Sequence, residues 1–229
     1  GTIDATLSTL PPLPPATVPV PTLPLDDDED IGHTNLYAYS LITWPEEVTW
    51  TLGLSSDFFD GVTDRDQVNP KLGVMWQPTS TTTLRAAAFR VLKRSLLTDQ
   101  TIEPTQVAGF NQFFDEGEGT HWWRYGLALD QRFGSAAYAG LEWTRREMEV
   151  PFVLSGGAAP ETFCVDWDED IGRAYLYWTP LSWLGVSAEY SYEHLERDPE
   201  FPGELELTEV KTHELALGWN TFFPQGLST

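Results

Sequence analysis

The chain has 229 residues and a net charge of −22 at pH 7, because 35 acidic residues outnumber 13 basic ones. Such a surface repels phosphate backbones, which excludes nucleic acid as a partner. The single cysteine excludes a disulfide framework and a cysteine-based zinc site, and no apolar run reaches the roughly 18 residues that a transmembrane helix needs.

Residues 1–34 differ in composition from the rest of the chain. A proline-rich stretch, 11–24, favours extended polyproline II structure, and an acidic run, 26–30, follows it. The acidic run lacks the ligand spacing and the turn glycine of a calcium loop, so we interpret it as solvated chain. The sequence therefore predicts a loop or linker over 1–34 and an antiparallel β-barrel segment over 35–229.

From residue 35 onward the apolar residues recur with the period of two that is typical of strands. Leu127 and Leu129, for example, alternate with Gly126, Ala128 and Asp130. The predicted strands are 35–44, 48–59, 69–77, 82–91, 121–133, 137–149, 170–179, 183–194 and 209–220. Several have about 10–13 residues, which exceeds the usual length of a soluble strand and matches a tilted strand that crosses a membrane. The predicted fold class is all-β, an antiparallel up-and-down meander of about nine long strands that is part of a transmembrane β-barrel.

The connections between the predicted strands alternate in length. The short ones are 45–47, 78–81, 134–136 and 180–182, and another starts at 224–226. The long ones are 60–68, 92–120, 150–169 and 195–208. Outer-membrane barrels have this pattern, with short periplasmic turns at one rim and long extracellular loops at the other. Four aromatic residues precede a proline at the short connections and are predicted to form one interface girdle: Trp44, Trp76, Trp178 and Phe223.

One face of the predicted strands is apolar and the other is polar. A membrane barrel turns its apolar face to lipid, whereas a soluble amphipathic sheet, the alternative, turns it inward. The long strands, the alternating loops and the charged polar face favour the membrane barrel. The predicted lumen-lining residues are Lys71, Arg85, Arg124, Asp130, Arg132, Glu142, Arg146, Glu189 and Glu214.

The long connection 92–120 exceeds the usual length of a structureless link. It carries Phe110, Phe113 and Phe114, which make it a candidate gating or ligand loop. Three arrangements stay open: an inward constriction, an outward lid that contacts a ligand, or a packed external loop.

The turn between the fifth and sixth predicted strands sets which residues share a face. Directly paired residues lie on one face, so their numbers must have an even sum, which requires an odd loop such as 134–136. This register places Arg132 opposite Tyr138 and Arg124 opposite Arg146. The two arginines repel each other, so we expect an acidic side chain beside them, either Glu142 or a loop residue.

Two segments resemble known outer-membrane proteins. Residues 69–73 read Asn-Pro-Lys-Leu-Gly, 78–80 read Pro-Thr-Ser and 83–85 read Thr-Leu-Arg; this hairpin resembles one that is common in TonB-dependent-receptor barrels. The segment 101–114 resembles a loop of large outer-membrane proteins that carry tetratricopeptide repeats before the barrel. The plug domain and the energy-coupling TonB box of that family have no counterpart in this sequence, so the resemblance implies a barrel and its membrane rather than a substrate.

Catalytic and metal-binding patterns do not emerge from the sequence. The four histidines have no partner at metal-ligand spacing, and neither a G-x-S-x-G motif nor a phosphate loop is present. Asp168 and Asp170 lack an apolar pocket that would raise one carboxyl pKa, as a glycosidase requires. We therefore expect no enzymatic activity, no cofactor and no metal site, and Cys164 is expected to be a free thiol.

The sequence thus predicts a segment of a Gram-negative outer-membrane β-barrel that acts as a receptor, a porin-like pore or a transporter for an unidentified solute. The expected partners are the lipid bilayer, the remaining strands of the same barrel, and a small solute or siderophore-like ligand. One alternative is a barrel that anchors or exports for a separate periplasmic domain. Another is a secreted soluble β-protein that binds carbohydrate through exposed tryptophans. As a fragment of a longer barrel, the chain is expected not to insert stably as a monomer.

Overall fold

A computed structural model describes residues 32–60, 65–93, 103–112, 119–154, 161–198 and 208–222. Of the predicted loop or linker, 1–34, only the last three residues fall within these ranges, so its boundary stays a prediction. Among the described residues, no helix is long and apolar enough to cross a membrane.

Nine long strands form one antiparallel sheet, and two short strands form a separate hairpin. The long strands are β1 (Gly32–Thr43), β2 (Val48–Asp60), β3 (Arg65–Thr79), β4 (Thr82–Leu92), β7 (His121–Phe133), β8 (Ala137–Leu154), β9 (Glu161–Leu181), β10 (Leu184–Arg197) and β11 (Glu209–Thr221). The hairpin consists of β5 (Gln106–Val107) and β6 (Phe110–Asn111). Each long strand pairs with the next long strand along the chain, with β1 and β11 at the two edges. The predicted all-β meander is confirmed.

The prediction of a long loop over 150–169 is wrong for most of its length. β8 continues to Leu154 and β9 begins at Glu161, so that β9 has 21 residues. The first part of β9 was missed because it carries Asp166 and Asp168, and aspartate is depleted in strands. Asp166, Asp168 and Asp170 alternate with inward-facing neighbours and pair with β8 at Glu149, Glu147 and Arg145. The period-two alternation therefore continues through this part of β9, but the residues on the same face as Leu141 and Trp143 are charged here.

The turn between β7 and β8 has the predicted odd length. Phe133 pairs with Ala137 across the three residues 134–136, and Gly134 has a φ of 61°, a left-handed conformation that favours glycine. The same register pairs Arg132 with Tyr138 and Arg124 with Arg146, as the sequence predicted. The prediction that Leu141 and Trp143 share a face with Leu127 and Leu129 is thereby confirmed.

The burial of the two faces is inverted relative to a water-soluble sheet. On the polar face Lys71, Arg124 and Arg146 are only 4%, 5% and 5% exposed. On the apolar face Leu127 and Leu141 are 57% and 60% exposed. Charged side chains are almost never buried in soluble proteins unless they are paired, so the contacts of the polar face decide how this arrangement is stabilised.

The polarity of each face changes along the strands. On β8 the apolar face carries Leu141 and Trp143 but continues as Arg145 and Glu147, which share the same side of the strand. Toward the long loops the polar face becomes apolar, and a hydrophobic cluster lies there. This cluster contains Phe89, Val91, Trp122, Met148 and Val150, together with the hairpin residues Val107, Ala108 and Phe110.

Candidate functional site

The described part of the long connection between β4 and β7 lies on the polar face of the sheet. β5 and β6 pair around the two residues Ala108 and Gly109, which have φ angles of 49° and 86°. Two positive φ angles are typical of the tight turn that closes a two-residue hairpin, and glycine adopts them without steric cost. We call residues 103–112 the inner hairpin.

Two glycines of the sheet allow the inner hairpin to approach closely. A Cβ atom on Gly73 would lie 2.8 Å from the Cβ of Ala108 and 2.9 Å from Cγ1 of Val107. A Cβ atom on Gly126 would lie 2.5 Å from the ring of Phe110. Real Cβ atoms do not approach other atoms this closely, so any larger residue at these positions would push the inner hairpin away from the sheet.

A buried polar cluster fixes the base of the inner hairpin. Lys71 Nζ donates to Glu103 Oε1 at 2.5 Å and also donates to Gln112 Oε1. The Tyr39 hydroxyl donates to the same Glu103 oxygen at 2.7 Å, and Gln112 Nε2 donates to the Pro104 carbonyl at 2.6 Å. The Lys71 and Glu103 side chains are only 1% and 0% exposed. Breaking a pair that is buried to this extent typically costs about 3–5 kcal/mol.

Arg85 connects the inner hairpin to the charges of the sheet. Its Nε donates to Asp130 Oδ2 at 2.8 Å, and its Nη2 donates to Glu142 Oε2 at 3.2 Å. The guanidinium carbon lies 5.1 Å from the centroid of the Phe110 ring, within the range of a cation–π contact. Arg85 therefore contacts the tip of the inner hairpin while its charge is paired with two carboxylates.

An acidic side chain, Glu169, lies beside the directly paired arginines Arg124 and Arg146, as their mutual repulsion led us to expect. Arg146 donates from Nε and Nη2 to both oxygens of Glu169, at 2.5 and 2.7 Å. Arg124 donates to Thr144 Oγ1 and to the carbonyl of Asn111 in the inner hairpin, each at 3.2 Å. Glu169 belongs to the part of β9 that the sequence placed in a loop.

A second group of contacts lies on the polar face nearer the short turns. The hydroxyl of Tyr175 donates to Asp130, and its ring lies over Gly140, where a Cβ atom would overlap it. Arg173 donates from Nε and Nη2 to the two oxygens of Glu189, at 2.6 and 2.9 Å. Tyr138 and Tyr177 are directly paired beside this ion pair.

The structure distributes the predicted lumen-lining residues over these two groups. The inner-hairpin region contains Lys71, Arg124 and Arg146. The region nearer the short turns contains Arg85, Asp130, Glu142 and Glu189, while Arg132 and Glu214 are exposed side chains of the same face. Phe110 packs against the sheet, whereas Phe113, Phe114 and Phe223 lie outside the described residues. The predicted girdle residues Trp44, Trp76 and Trp178 are all exposed at the short-turn ends.

Around the inner hairpin, sequence reasoning missed four residues: Tyr39, Glu103, Gln112 and Glu169. Only Glu169 had a usable signal, since it alternates with Asp168 and Asp170 in an extended segment. Glu103 and Gln112 lie in a loop, and their contact with Lys71 joins residues more than 30 positions apart. Local patterns carry no information about such a contact.

Arg65, His121 and Glu149 form an ionic cluster at the long-loop end of the sheet. Arg65 Nη2 donates to Glu149 Oε1 at 2.8 Å, and Arg65 also contacts His121 Nδ1. Burial and the nearby positive charge of Arg65 lower the pKa of His121 to about 4. Burial alone would raise the pKa of Glu149, but the hydrogen bonds from Arg65 and Cys164 and the charge of Arg65 together outweigh this effect and lower that pKa.

Other titratable groups at this end are half-buried or exposed, and they are paired. In the part of the chain that the structure describes, one group could hold a metal ion: His194, Glu196 and Glu209, whose ligand atoms lie within 4.8 Å of one another. Lys211 and His194 both contact Glu209, which makes an ordinary surface ion-pair cluster. Asp168 and Asp170, considered above as a catalytic pair, both accept from Arg145.

Comparison with known proteins adds to the description of the fold. The sequence matches no protein-family model and no curated protein. A chain of the FpvAI–pyocin S2 complex is similar in structure, with a TM-score of 0.56 and 10% identity over 85% of this chain and 27% of that chain. A mutant of the ferric enterobactin receptor PfeA from Pseudomonas aeruginosa has a TM-score of 0.45 and 14% identity, over 86% of this chain and 38% of that one.

The chain therefore spans well under half the length of either of these structures. The similarity to the FpvAI–pyocin S2 complex shows a barrel-like fold, which is the part of the TonB-dependent-receptor resemblance that concerns architecture. The association with tetratricopeptide repeats stays a prediction.

Proposed function

We propose that this chain is a segment of an outer-membrane β-barrel that acts as a receptor, pore or transporter for a solute. Its apolar face meets lipid and its polar face lines the lumen. The observation that carries the proposal is the inverted burial, with Leu127 and Leu141 mostly exposed and Arg124 and Arg146 almost fully buried.

The extent of the apolar face supports lipid rather than water as its surroundings. Most of the large apolar side chains exposed among the described residues lie on this face, and those of β2, β3, β7 and β8 form continuous rows. Soluble monomers rarely expose contiguous apolar patches larger than a few hundred Å². Each leucine left in water forgoes roughly 1.5–3 kcal/mol of burial free energy, a loss that a bilayer removes.

The height of the apolar band supports the same conclusion. The ten residue steps on β7 from Phe133 to Trp123 correspond to about 33 Å along the strand, and a tilt of roughly 40° reduces this to about 25 Å, the height of a barrel's apolar band. Aromatic residues mark both ends, with Phe133 at the short turn and the stacked rings of Trp123 and Tyr125 toward the long loop. The charged outward residues Arg145 and Asp170 would then lie beyond the lipid.

The proposed placement assigns roles to the predicted site residues. Trp44, Trp76 and Trp178 form the girdle at the periplasmic interface, and Phe223 joins them as a prediction. The charged side chains of the polar face line the lumen. The inner hairpin then narrows the lumen from within, and Phe110 lies at its tip.

Site-specific fluorescence tests the orientation of the two faces in a whole barrel that contains this segment, reconstituted in lipid vesicles after its other cysteines are replaced. In a Cys164→Ser background, the environment-sensitive dye NBD is attached at Leu127→Cys or Leu141→Cys on the apolar face, and at Ser191→Cys on the polar face as the matched control. We expect blue-shifted emission and quenching by brominated lipids at the first two positions only. Quenching at Ser191→Cys without quenching at Leu141→Cys would show that the faces are reversed. No quenching at any of the three positions would support a soluble sheet instead.

A further inference from the structure

Three tyrosines form a continuous aromatic surface on the polar face, near the short turns. Tyr138 of β8 is paired directly with Tyr177 of β9, and Tyr175 lies two residues further along β9 on the same face. The ring centroids of Tyr138 and Tyr175 are 5.9 Å apart, and those of Tyr175 and Tyr177 are 5.8 Å apart. Tyr138 and Tyr177 are 39% and 45% exposed, so both present open ring surface.

The central ring of this surface is fixed in place. Tyr175 lies over Gly140, whose missing side chain leaves the space that the ring occupies. Its hydroxyl crosses β8 to donate to Asp130 of β7, which Arg85 also contacts at 2.8 Å. An aromatic ring that is ordered before binding loses little conformational entropy when a ligand packs on it.

Charged groups border the rings, but they already neutralise one another. Arg173 and Glu189 form a two-bond ion pair in which the side chains are 40% and 36% exposed. The Arg173 guanidinium lies 5.3 Å from the centroid of the Tyr175 ring. A charged ligand gains little from groups paired in this way, whereas hydroxyl groups can still donate to Glu189 and accept from Arg173.

We propose that Tyr138, Tyr175, Tyr177, Arg173 and Glu189, the tyrosine patch, bind a neutral polyhydroxylated ligand such as an oligosaccharide. The C–H faces of a sugar ring pack on Tyr138 and Tyr177, and its hydroxyls form hydrogen bonds with Arg173 and Glu189. This inference rests on the proposed function, because the patch meets solutes only where the polar face lines the lumen.

Calorimetric titration of the full chain in detergent micelles tests the proposal. The probes are three neutral oligosaccharides: maltohexaose, cellohexaose and chitohexaose. We expect saturable binding of at least one of them. Tyr138→Ala and Tyr177→Ala should each weaken it roughly three- to tenfold, as expected for one lost ring contact. Tyr177→Phe, which keeps the ring, should bind nearly as the parent chain does, and Tyr190→Ala on the apolar face serves as the matched control.

Three results would overturn the proposal. The first is no saturable binding of any of the three hexasaccharides. The second is unchanged affinity in the Tyr138→Ala/Tyr177→Ala double variant with an unchanged circular dichroism spectrum. The third is tighter binding of an anionic oligogalacturonate than of the neutral sugars. The NBD experiment in vesicles is independent of sugar binding, so lipid contact at Leu141 without sugar binding rejects the tyrosine patch and retains the proposed barrel.

Discussion

At the scale of single residues, the contact between Lys71 and Glu103 holds the inner hairpin on the sheet. Both side chains are almost fully buried. Tyr39 donates to Glu103, and Gln112 accepts from Lys71. A charge-assisted contact in a region of low dielectric constant is strong once formed, but it depends on both partners being present. The position of the inner hairpin should therefore respond steeply to the loss of one carboxylate.

Glu103→Gln is expected to release the inner hairpin. The substitution removes the carboxylate that Lys71 contacts at 2.5 Å, and the loss of one partner from a buried pair costs about 3–5 kcal/mol. Limited proteolysis in detergent should show faster cleavage within 103–112. Glu209→Gln is the control, because its partner Lys211 is exposed. Equal cleavage rates in the two variants would mean that the ion pair does not fix the hairpin.

The ionic cluster at the long-loop end predicts a dependence of stability on pH. The pKa of His121 is lowered to about 4 in the folded chain, mainly by burial and by Arg65, with smaller effects of Glu149, which raises it, and Arg90. The unfolded chain, with a histidine pKa of about 6.5, binds more protons between these values. The free energy of unfolding should therefore decrease as the pH falls from about 6.5 toward 4.

Urea unfolding in micelles between pH 7.5 and 4.5 measures this dependence. His121→Gln should flatten the slope below pH 6.5, whereas His213→Gln, whose residue is exposed on β11, should leave it unchanged. Because the pKa of Glu149 is lowered in the folded chain, protonation of Glu149 reduces the free energy of unfolding only in more acidic solutions. An identical slope in the parent chain and in His121→Gln would exclude His121 as the origin.

At the scale of elements, the three-residue turn 134–136 decides which face of β8 meets which surroundings. Deleting Ser135 leaves a two-residue turn, which changes the parity of the pairing and moves Leu141 and Trp143 to the polar face. We expect this variant to lose its folded state in micelles, seen as lost β-sheet circular dichroism. Exchanging Ser135→Gly, which keeps the length, should have little effect. A folded deletion variant would require a compensating bulge.

The same element shows how far sequence reasoning reaches. Period-two alternation and parity predicted the β7–β8 register to the residue, because a face in contact with one kind of environment leaves a regular pattern. The first half of β9 and the end of β8 were missed, because the pattern there has the opposite polarity and was interpreted as loop. The inner hairpin was left with three alternatives, since its position depends on Gly73, Gly126 and Lys71, which are distant in sequence.

At the scale of the whole molecule, the proposed bilayer placement predicts how charge is tolerated on each face. Leu141→Arg places a guanidinium within the apolar band and should reduce the folding free energy in lipid vesicles by about 2–4 kcal/mol. Ser191→Arg, on the polar face of β10, should cost much less. Urea titration of a whole barrel that contains this segment, in short-chain phosphatidylcholine vesicles, measures both. Equal destabilisation by the two substitutions would contradict the assignment of lipid and lumen.

The change of polarity along β7 to β10 also restricts how the strands can slide past one another. In a strand with a uniform pattern, a slip of two residues keeps every side chain on its own face, so parity alone does not forbid it. Here such a slip would draw Arg145 toward the level of Trp143 and push apolar side chains past the end of the band. The pattern of side chains therefore fixes the position of each strand along its axis as well as the face on which each side chain lies. Register shifts by an odd or an even number of residues are both destabilising.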